Sequence, residues 1–507
     1  MSAQISDRRY SMKLHEMING LECKEVIGSL QKEITGIYCD SKITTSQSVF
    51  VCIDGTSFDS HQLIGQMILK DVAAIVVSKK DIGYIPDTVT VIRVENSRHA
   101  LAIMAANYYD NPSKKMKMIG ITGTKGKTTT AYMIREILEL AGVKTCLIGT
   151  IETIIGEHHV PSENTTPDAL LIQQTLSEAV DAGCKCAVME VSSQGLKLNR
   201  VDGIIFDYAV FLNLSQDHIG GKEHKDFEEY FLCKKKLFHQ CKIGIFNLDD
   251  PYALEMMKGN SCIKETFAIN SPARHQVVEA RLTNQNGILG STFDVIGWYD
   301  FHVTLNIPGR FNWYNALAAI AVVSHFGIKT DVIRFALAGF KVKGRVEMIP
   351  LDTDYTLMID YAHNAVSLQN VLMTLKEYHP NRLICMFGCG GNRSRTRRFE
   401  MGKVASVYAD FIVVTNDNPR DEEPANIIGD ILIGIGPDYK EYVVIPERIE
   451  AIRFCMKHAL PNDFVVLAGK GHETYQEIKG VKYPCDEREL IRQVCKEEGI
   501  RQIDFFR

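Results

Sequence analysis

One glycine-rich segment of the chain combines the residue types that bind phosphate. It follows a short apolar run, reads Gly-Ile-Thr-Gly-Thr-Lys-Gly-Lys-Thr-Thr-Thr over residues 120–130, and precedes a helix-like stretch. A strand, a glycine turn and a helix N-terminus together present backbone N–H groups to a phosphate. Lys127 would then reach the terminal phosphates, and the Thr128 hydroxyl would ligate Mg²⁺. The spacing departs from the standard Walker pattern, because Ile121 stands five residues before Gly126. The segment predicts nucleoside triphosphate binding.

Two further polar positions follow apolar strands and could complete a magnesium site. Glu190 ends the run Cys-Lys-Cys-Ala-Val-Met-Glu, where its carboxylate would be a second Mg²⁺ anchor beside Thr128. The alternative is a carboxylate that caps the following turn. His218 ends Asn-Leu-Ser-Gln-Asp-His after the next strand, but Mg²⁺ prefers oxygen ligands, so Asp217 is the alternative there.

The C-terminal third carries charged clusters where its apolar strands end. Four arginines follow a glycine pair: Arg393, Arg395, Arg397 and Arg398. The next strand ends in Asp-Asn-Pro-Arg over residues 417–420. Guanidinium forks bind carboxylates and an aspartate can bind an ammonium group, so these segments could recognise a zwitterion. Exposed charge and a surface salt bridge remain the alternatives.

Asn312 and Asn315 flank an aromatic pair just before a helix rich in small residues. We expect one of them to cap that helix and the other to bind an adenine edge. The spacing does not choose between them.

The order of apolar runs predicts the elements that hold these residues. At 507 residues the chain is long enough for about three domains. Strands alternate with helices throughout, which is typical of parallel α/β sheets, and antiparallel hairpins are expected between about residues 282 and 309. A turn cluster at 110–113 and a glycine hinge at 343–345 place the domains at residues 1–113, 114–343 and 344–507.

Composition restricts the class of protein. A net charge of −5 gives no reason to expect nucleic acid or an anionic membrane as a partner. No apolar run is long enough to span a membrane, and the first residues lack the apolar core of a signal peptide, so we expect a cytoplasmic protein. The 14 cysteines include no Cys-x-x-Cys pair, which favours small buried thiols in a reducing compartment over a zinc site.

Taken together, the motifs resemble those of the Mur ligase family, the ATP-dependent amide-forming enzymes of peptidoglycan precursor synthesis. The resemblance covers nearly the whole chain and rests on motifs in family order: GITGTKGKTTT, MEVSSQGLKLNRV, NLSQDH, NIPGRFNWYNALAA, GRVE, DYAHN, FGCGGNR, TNDNPR and GKGHE. The chain is most similar to members that add the third peptide residue, usually meso-diaminopimelate or L-lysine, to UDP-N-acetylmuramoyl-L-alanyl-D-glutamate.

The resemblance implies three domains: an N-terminal UDP-binding α/β domain, a central P-loop ATPase domain with a parallel sheet and a small antiparallel sheet, and a C-terminal Rossmann-like α/β domain. It implies ATP and Mg²⁺ as cofactors and a UDP-muramoyl-dipeptide and an amino acid as substrates. Separately from the resemblance, we expect a monomer.

The resemblance also assigns roles to residues. Catalysis would involve Lys127, Glu190, His218 and Lys234, and the metal ligands would be Thr128, Glu190, His218 and Lys234, with Lys234 carbamylated into a carboxylate-like group. ATP would be bound by Gly123, Thr124, Lys125, Gly126, Lys127, Thr128, Thr129, Asn312, Arg345, Asp360 and His363. The UDP-dipeptide would be bound by Ser41, Asn164, Thr165, Thr166, Ser192 and Arg200. The incoming amino acid would be bound by Arg393, Asp417, Asn418, Arg420, Gly469 and Glu473.

The Asp-Asn-Pro-Arg motif resembles the type that accepts diaminopimelate, because Arg420 would bind a distal carboxylate that lysine lacks. Other positions depart from the family pattern: Lys42, Gln194, Asn392 and Ser394. These departures concern the identity of the added amino acid more than the reaction. A paralogue that adds lysine or another amino acid is therefore the first alternative.

Alternatives from other classes are a P-loop GTPase switch and a non-catalytic UDP-sugar-binding protein. Near-matches to the GTPase motifs at residues 199–202 and 217–220 stand in the wrong order. Intact Lys127, Glu190, His218 and Lys234 argue against a silent binder. Folylpolyglutamate synthase shares the phosphate loop, but the full N-terminal domain and the Asp-Asn-Pro-Arg motif favour the muramoyl ligases.

Overall fold

The computed structural model describes residues 11–55, 58–216, 219–220, 223–285 and 287–503. By contacts the chain divides into two compact units. Unit 1 comprises Met1–His275 and Leu317–Ile328, and unit 2 comprises Gln276–Ala316 and Lys329–Arg507. Among the residues described, none of the helices has both the length and the apolar character needed to span a bilayer.

The first part of unit 1 forms a five-stranded sheet with helices. Its elements are β1 (Met12–Lys13), α1 (Leu14–Met17), β2 (Cys23–Ile27), β3 (Glu33–Ile34), β4 (Ile37–Tyr38), β5 (Val49–Val51), α2 (Ile64–Leu69), β6 (Ala74–Val77), β7 (Thr90–Val94) and α3 (Ser97–Tyr108). The strand order is β2-β7-β6-β5-β4, parallel except for β2. β5 and β6 are wholly buried, as expected for strands covered on both faces.

The second part of unit 1 contains a larger, mainly parallel sheet. Its elements are β8 (Lys117–Thr122), α4 (Lys127–Leu140), β9 (Thr145–Ile148), β10 (Glu152–Ile155), β11 (His158–Pro161), α5 (Ala169–Asp181), β12 (Cys186–Glu190), α6 (Ser193–Lys197), β13 (Phe206–Phe211), α7 (Phe227–Lys235), β14 (Cys241–Asn247), α8 (Ala253–Met257) and β15 (Ile263–Ala268). The strand order β11-β10-β9-β12-β8-β13-β14-β15 is parallel from β9 to β15. The carboxyl ends of β8, β12 and β13 therefore meet at one edge, where ligands bind in open α/β sheets.

Unit 2 begins with three antiparallel strands and continues into a second α/β sheet. The elements from here on are β16 (His275–Gln285), β17 (Ile288–Ile296), β18 (Phe301–Leu305), α9 (Phe311–Val323), α10 (Thr330–Gly339), β19 (Glu347–Ile349), β20 (Thr356–Asp360), α11 (Ala365–Lys376), β21 (Leu383–Phe387), α12 (Arg395–Tyr408), β22 (Phe411–Val414), α13 (Pro424–Ile435), β23 (Tyr442–Val444), α14 (Arg448–His458), β24 (Phe464–Ala468), β25 (Tyr475–Ile478), β26 (Val481–Pro484) and α15 (Glu487–Glu498). The chain passes from one unit to the other after His275, after Ala316 within α9, and after Ile328.

The second sheet of unit 2 has the order β19-β20-β24-β21-β22-β23 and is parallel except for β19. β25 and β26 form a separate two-stranded hairpin. The expected α/β class, with parallel sheets and a small antiparallel part, is confirmed. The division into three domains at residues 113 and 343 stays a prediction.

The thiols behave as the composition suggests. All fourteen cysteines are free, and ten of them are buried. Burial raises the pKa of the Cys52 thiol to about 12, and desolvation likewise raises the pKa of Cys389. These groups are inert packing residues rather than reactive thiolates.

Candidate active site

The predicted phosphate loop joins β8 to α4 in unit 1. Gly126 is the N-cap of the helix and has φ +88°, a left-handed conformation that favours glycine. N–H groups at the start of a helix can bind an anion. Asn213, after β13, fixes the loop, because its Oδ1 accepts from Lys125 N (2.9 Å) and its Nδ2 donates to Lys125 O (3.0 Å).

Two lysines converge on the carbonyl groups of this loop. Lys127 Nζ donates to Gly123 O (2.9 Å) and Thr124 O (3.1 Å). Lys234, on α7, is 1% exposed, and its Nζ donates to the same Gly123 O (2.9 Å). Tyr230 packs under Lys234, with Nζ 4.6 Å from the ring centroid. The structure thus brings Lys234 to the loop, as the resemblance implies.

Glu190 is fully buried at the end of β12 and lies next to the start of α4. Its Oε2 accepts from the hydroxyls of Thr128 and Thr150 (2.9 Å each), and its Oε1 accepts from Thr150 N (2.9 Å). A Cβ at Gly149 would lie 2.5 Å from Oε1, so a side chain at that position would displace the Glu190 carboxylate. Glu190 does not merely cap a turn, since its carboxylate and the Thr128 hydroxyl form one cluster of oxygen atoms.

This donor set fits a magnesium ion. Carboxylate and hydroxyl oxygens are the ligands that Mg²⁺ prefers. Here Thr128 Oγ1 and Glu190 Oε2 lie 2.9 Å apart. His218 and the alternative Asp217 lie outside the described residues. Sequence analysis did not identify Thr150, which follows β9, because nothing local in Gly-Thr-Ile-Glu indicates that it meets a carboxylate forty residues away.

The residues expected to bind the dipeptide lie beside Glu190. Thr166 Oγ1 donates to Glu190 O (2.9 Å) and accepts from Ser192 N (2.9 Å). Arg200 Nη1 donates to Thr166 O (2.6 Å). Burial lowers the pKa of Arg200, Asp168 opposes that shift, and the nearby positive charge of Arg98 lowers the pKa further. Two guanidinium groups in partly desolvated surroundings favour an anionic ligand.

The other residues predicted for the UDP-dipeptide are more peripheral. Thr165 Oγ1 lies 3.1 Å from Thr150 Oγ1, so it is linked to the Glu190 cluster. Asn164 is exposed. Ser41 is half-buried in the first part of the unit, where its carbonyl accepts from Lys70 Nζ (2.6 Å). Thr129 is half-buried in the first turn of α4.

In unit 2, Asp360 ends β20 and organises the segment after the glycine hinge. Its carboxylate accepts from Val346 N and Ala362 N, both at 2.8 Å, and burial raises its pKa. The Arg345 guanidinium lies 5.3 Å from the centroid of the Tyr361 ring. His363 Nδ1 is 2.9 Å from Tyr361 O, and burial lowers the His363 pKa.

The asparagines before the small-residue helix differ from expectation. Both lie inside α9, which begins at Phe311, so neither caps the helix, and that expectation was wrong. Asn312 Nδ2 donates to Pro308 O (2.7 Å), and Asn315 Nδ2 donates to Asn312 Oδ1 (2.8 Å). Both side chains are buried. They therefore anchor the turn that enters the helix, and a role of Asn312 toward adenine stays a prediction.

The residues expected to receive the amino acid gather around Lys470. This lysine is fully buried, and its Nζ donates to Asn418 Oδ1 (2.6 Å) and Tyr475 O (2.6 Å). Asp417 Oδ1 and Glu473 Oε2 both lie 3.4 Å from it. Lys470 belongs to the Gly-Lys-Gly-His-Glu motif, but no local pattern indicates that its ammonium group contacts three residues predicted to bind the amino acid: Asp417, Asn418 and Glu473.

Gly469 and Arg393 complete that predicted set. Gly469 has φ +112°, and a Cβ there would lie 2.7 Å from Asp417 Oδ2. Arg393 is exposed. By contrast, Arg395 and Arg398 pair with Asp430, and Arg398 also pairs with Glu422. Those two arginines are engaged in ion pairs, and Arg398 is buried, so the alternative of exposed charge does not describe it.

Arg420 adopts a left-handed backbone conformation with φ +52°. Such a conformation costs a non-glycine residue roughly 1 kcal/mol. Its guanidinium is already engaged, because Nε donates to Glu477 Oε2 (3.1 Å) and Nη1 donates to Gly391 O (2.9 Å). A Cβ at Gly391 would lie 1.8 Å from Pro419 O, so glycine is needed for this close approach.

Comparisons with known proteins agree with this geometry. The chain matches the Mur ligase middle domain over residues 121–323 and the Mur ligase glutamate ligase domain over residues 344–471. A UDP-N-acetylmuramoyl-L-alanyl-D-glutamate–2,6-diaminopimelate ligase of Caldanaerobacter subterraneus is 41% identical, covering 96% of this chain and 99% of that relative. A ligase of the same name from Clostridium perfringens is 39% identical, covering 96% and 100%.

A solved structure of a UDP-N-acetylmuramoyl-L-alanyl-D-glutamate–2,6-diaminopimelate ligase superposes with a TM-score of 0.71 at 27% identity, covering 96% of this chain and 99% of that one. The chain therefore belongs to the Mur ligase family. Its members are ATP-dependent ligases that form peptide bonds, which confirms the predicted enzyme class. The GTPase alternative loses its basis.

Proposed function

We propose that this protein is an ATP-dependent ligase that adds meso-diaminopimelate to UDP-N-acetylmuramoyl-L-alanyl-D-glutamate in peptidoglycan precursor synthesis. The observation that carries the proposal is the similarity, along 96% of the chain, to ligases of that name. Two features of this chain support it independently. They are the oxygen cluster of Thr128 and Glu190 at the phosphate loop, and the presence of Arg420, which suits a second carboxylate on the amino acid.

The reaction must activate a carboxylate, because attack by an amine on the free acid would expel oxide. Transfer of the ATP γ-phosphate to the terminal carboxylate of the dipeptide gives an acyl phosphate, from which the incoming amine displaces phosphate. The chain's part is to hold the phosphates on the N–H groups at the start of α4 and to neutralise charge with Lys127. Arg200 would hold the acidic dipeptide beside Glu190.

Bound Mg²⁺ would neutralise phosphate oxygens in the approach of two anions, and we propose Thr128, Glu190, His218 and Lys234 as the residues that hold it. Lys234 would act as its carbamate. Burial of the Lys234 side chain and its approach to Gly123 O support a role at the loop. Asn312, Arg345, Asp360 and His363 are proposed to contact ATP, and Ser41 to contact the UDP group.

We also propose the three-domain division at residues 113 and 343, a monomer, and a cytoplasmic location. Fourteen free thiols support a reducing compartment, since disulfides form in oxidising ones. Addition of L-lysine by the same site is the second candidate, because Asn392 and Ser394 depart from the family pattern beside Arg393, which is proposed to bind the amino acid.

The test is release of inorganic phosphate with UDP-muramoyl-dipeptide, ATP and either diaminopimelate, L-lysine or ornithine. We expect turnover with diaminopimelate, with oxygen-18 from the dipeptide carboxylate appearing in the released phosphate. Preferred use of lysine would contradict the assignment of Arg420. Absence of the label from phosphate would contradict the acyl-phosphate route.

A further inference from the structure

The hairpin of β25 and β26 is bonded to the Asp417–Arg420 loop along its first strand. Gln476 Nε2 donates to Asp417 O (2.6 Å), and Glu477 N donates to Asn418 Oδ1 (2.9 Å). Arg420 N then donates to Glu477 O (3.0 Å). The loop and the hairpin therefore form one hydrogen-bonded structure, although 55 or more residues separate their sequences.

These bonds also hold Arg420 in its left-handed conformation. Its N–H donates to Glu477 O (3.0 Å), and its carbonyl accepts from Lys479 N (2.8 Å), so hydrogen bonds to the hairpin fix the backbone on both sides of the residue. A strained backbone kept in place by its surroundings is common where a side chain must be aimed. Here the aimed side chain is a guanidinium.

The side chain of Glu477 completes the arrangement. Its carboxylate accepts from Arg420 Nε at 3.1 Å, and the two side chains are 26% and 21% exposed. With Nε on Glu477 and Nη1 on Gly391 O, the guanidinium plane is set by two contacts, whereas Nη2 donates to no other protein group among the described residues. A planar donor group fixed in this way offers one edge to a carboxylate.

We infer that Glu477 is a positioning residue that determines specificity for an amino acid with a second carboxylate, because it fixes the guanidinium of Arg420 from the hairpin. The inference rests on the proposed function, in which Arg420 binds the distal carboxylate. Glu477 lies outside every motif that carries the family resemblance.

The test is steady-state kinetics of Glu477→Ala in the full-length protein. The change removes the side-chain contact with Arg420 Nε and leaves the backbone groups of residue 477 in place. We expect KM for diaminopimelate to rise roughly tenfold, as for loss of a hydrogen bond to a charged group. We expect kcat and the KM values for ATP and UDP-muramoyl-dipeptide to stay within about twofold. The efficiency with L-lysine should not change, so the preference for diaminopimelate falls by the same factor.

A double-mutant cycle distinguishes aiming of Arg420 from a general effect on the fold. In an Arg420→Ala background, Glu477→Ala should have no further effect on KM for diaminopimelate. Glu489→Gln is the matched control, because it also removes one acidic charge from an exposed ion pair, with Arg492, and should leave every constant unchanged. If Glu477→Ala unfolds, as judged by circular dichroism, Glu477→Gln serves in its place, with the same direction and a smaller size.

The results for Glu477→Ala and for the wild-type protein test two different proposals. An unchanged preference, a parallel rise of KM for all three substrates, or a full effect of Glu477→Ala without Arg420 would overturn it while the proposed function stands. Failure of the wild-type protein to use diaminopimelate would overturn the proposed function, and that result is read from the wild type alone.

Discussion

Glu190 shows how hydrogen bonds stabilise a fully buried carboxylate. Removing a charge from water is costly unless hydrogen bonds replace the lost solvation. Two hydroxyls and one backbone N–H provide that replacement, and two of the three donors come from Thr150. The same oxygens are the ones a hard cation would share. At the scale of single residues, the stability of this site and its proposed chemistry depend on the same few atoms.

Lys127→Ala should abolish ATP-dependent product formation, with a loss of at least 100-fold in kcat, as expected for a group that stabilises charge in a transition state. Phosphate release and product chromatography measure this. Lys185→Ala is the control, because Lys185 is exposed in the same unit and should keep wild-type turnover. Wild-type turnover by Lys127→Ala would contradict the assignment of the loop.

At the scale of elements, helices α12 and α13 approach closely through two glycines. A Cβ at Gly402 would lie 2.3 Å from Ile431 O, and a Cβ at Gly434 would lie 2.2 Å from Phe399 O. Each helix thus provides a glycine where the other presents backbone. No side chain fits without separation of the pair, so these glycines serve packing rather than flexibility.

Gly434→Ala should lower the free energy of unfolding by roughly 1–3 kcal/mol, because overpacking forces the two helices apart. Gly429→Ala, on the same helix, has nothing within 4 Å of the added methyl group and should raise stability by roughly 0.5–1 kcal/mol. Urea denaturation of both variants measures the difference. Equal effects would show that helix propensity, and not packing, governs α13.

β16 begins with a buried histidine, His275, that makes the folded protein less stable at acidic pH. His275 is fully buried, neither ring nitrogen has a hydrogen-bond partner among the described residues, and desolvation lowers its pKa to about 4. Glu265 opposes that shift, while Arg274 and His325 add to it. Because the folded pKa lies below the ordinary 6.5, the unfolded chain takes up the proton first as pH falls, and stability is lost between pH 6.5 and 4.

The free energy of unfolding of the wild-type protein should therefore fall by roughly 2 kcal/mol between pH 7 and pH 5 because of His275. His275→Leu should reduce that pH dependence, and His239→Gln, at an exposed position, should not. Denaturation curves at the two pH values measure the effect. An identical pH dependence in the wild type and in His275→Leu would contradict the prediction.

Across the whole molecule, sequence patterns predicted where the strands lie. They did not predict which side chains from distant segments contact one another. Apolar runs identified β8, β12 and β13, because strands buried on both faces must be apolar throughout. The polar residues that follow these strands then included the candidate site residues Lys127 and Glu190. The partners came from distant segments with no local signal: Thr150, Asn213, Lys470 and Glu477. Periodicity cannot reveal an ion pair such as Arg420 with Glu477, which spans 57 residues.

The whole chain should behave as a monomer in solution. The mass of one chain is 56.9 kDa. Size-exclusion chromatography with light scattering should give that mass at micromolar concentration, with and without ATP. A mass of twice this value would contradict the expectation.

The separateness of the β25–β26 hairpin has a consequence for how such enzymes diverge. Its two strands form a sheet of their own, and no strand of the six-stranded sheet pairs with them among the described residues. Substitutions in the hairpin therefore act on the 417–420 loop to which it is hydrogen-bonded and leave the strand pairing of the six-stranded sheet in place. Lineages could therefore exchange one cell-wall building block for another by drift in a short surface ribbon, while the machinery that consumes ATP stays unaltered.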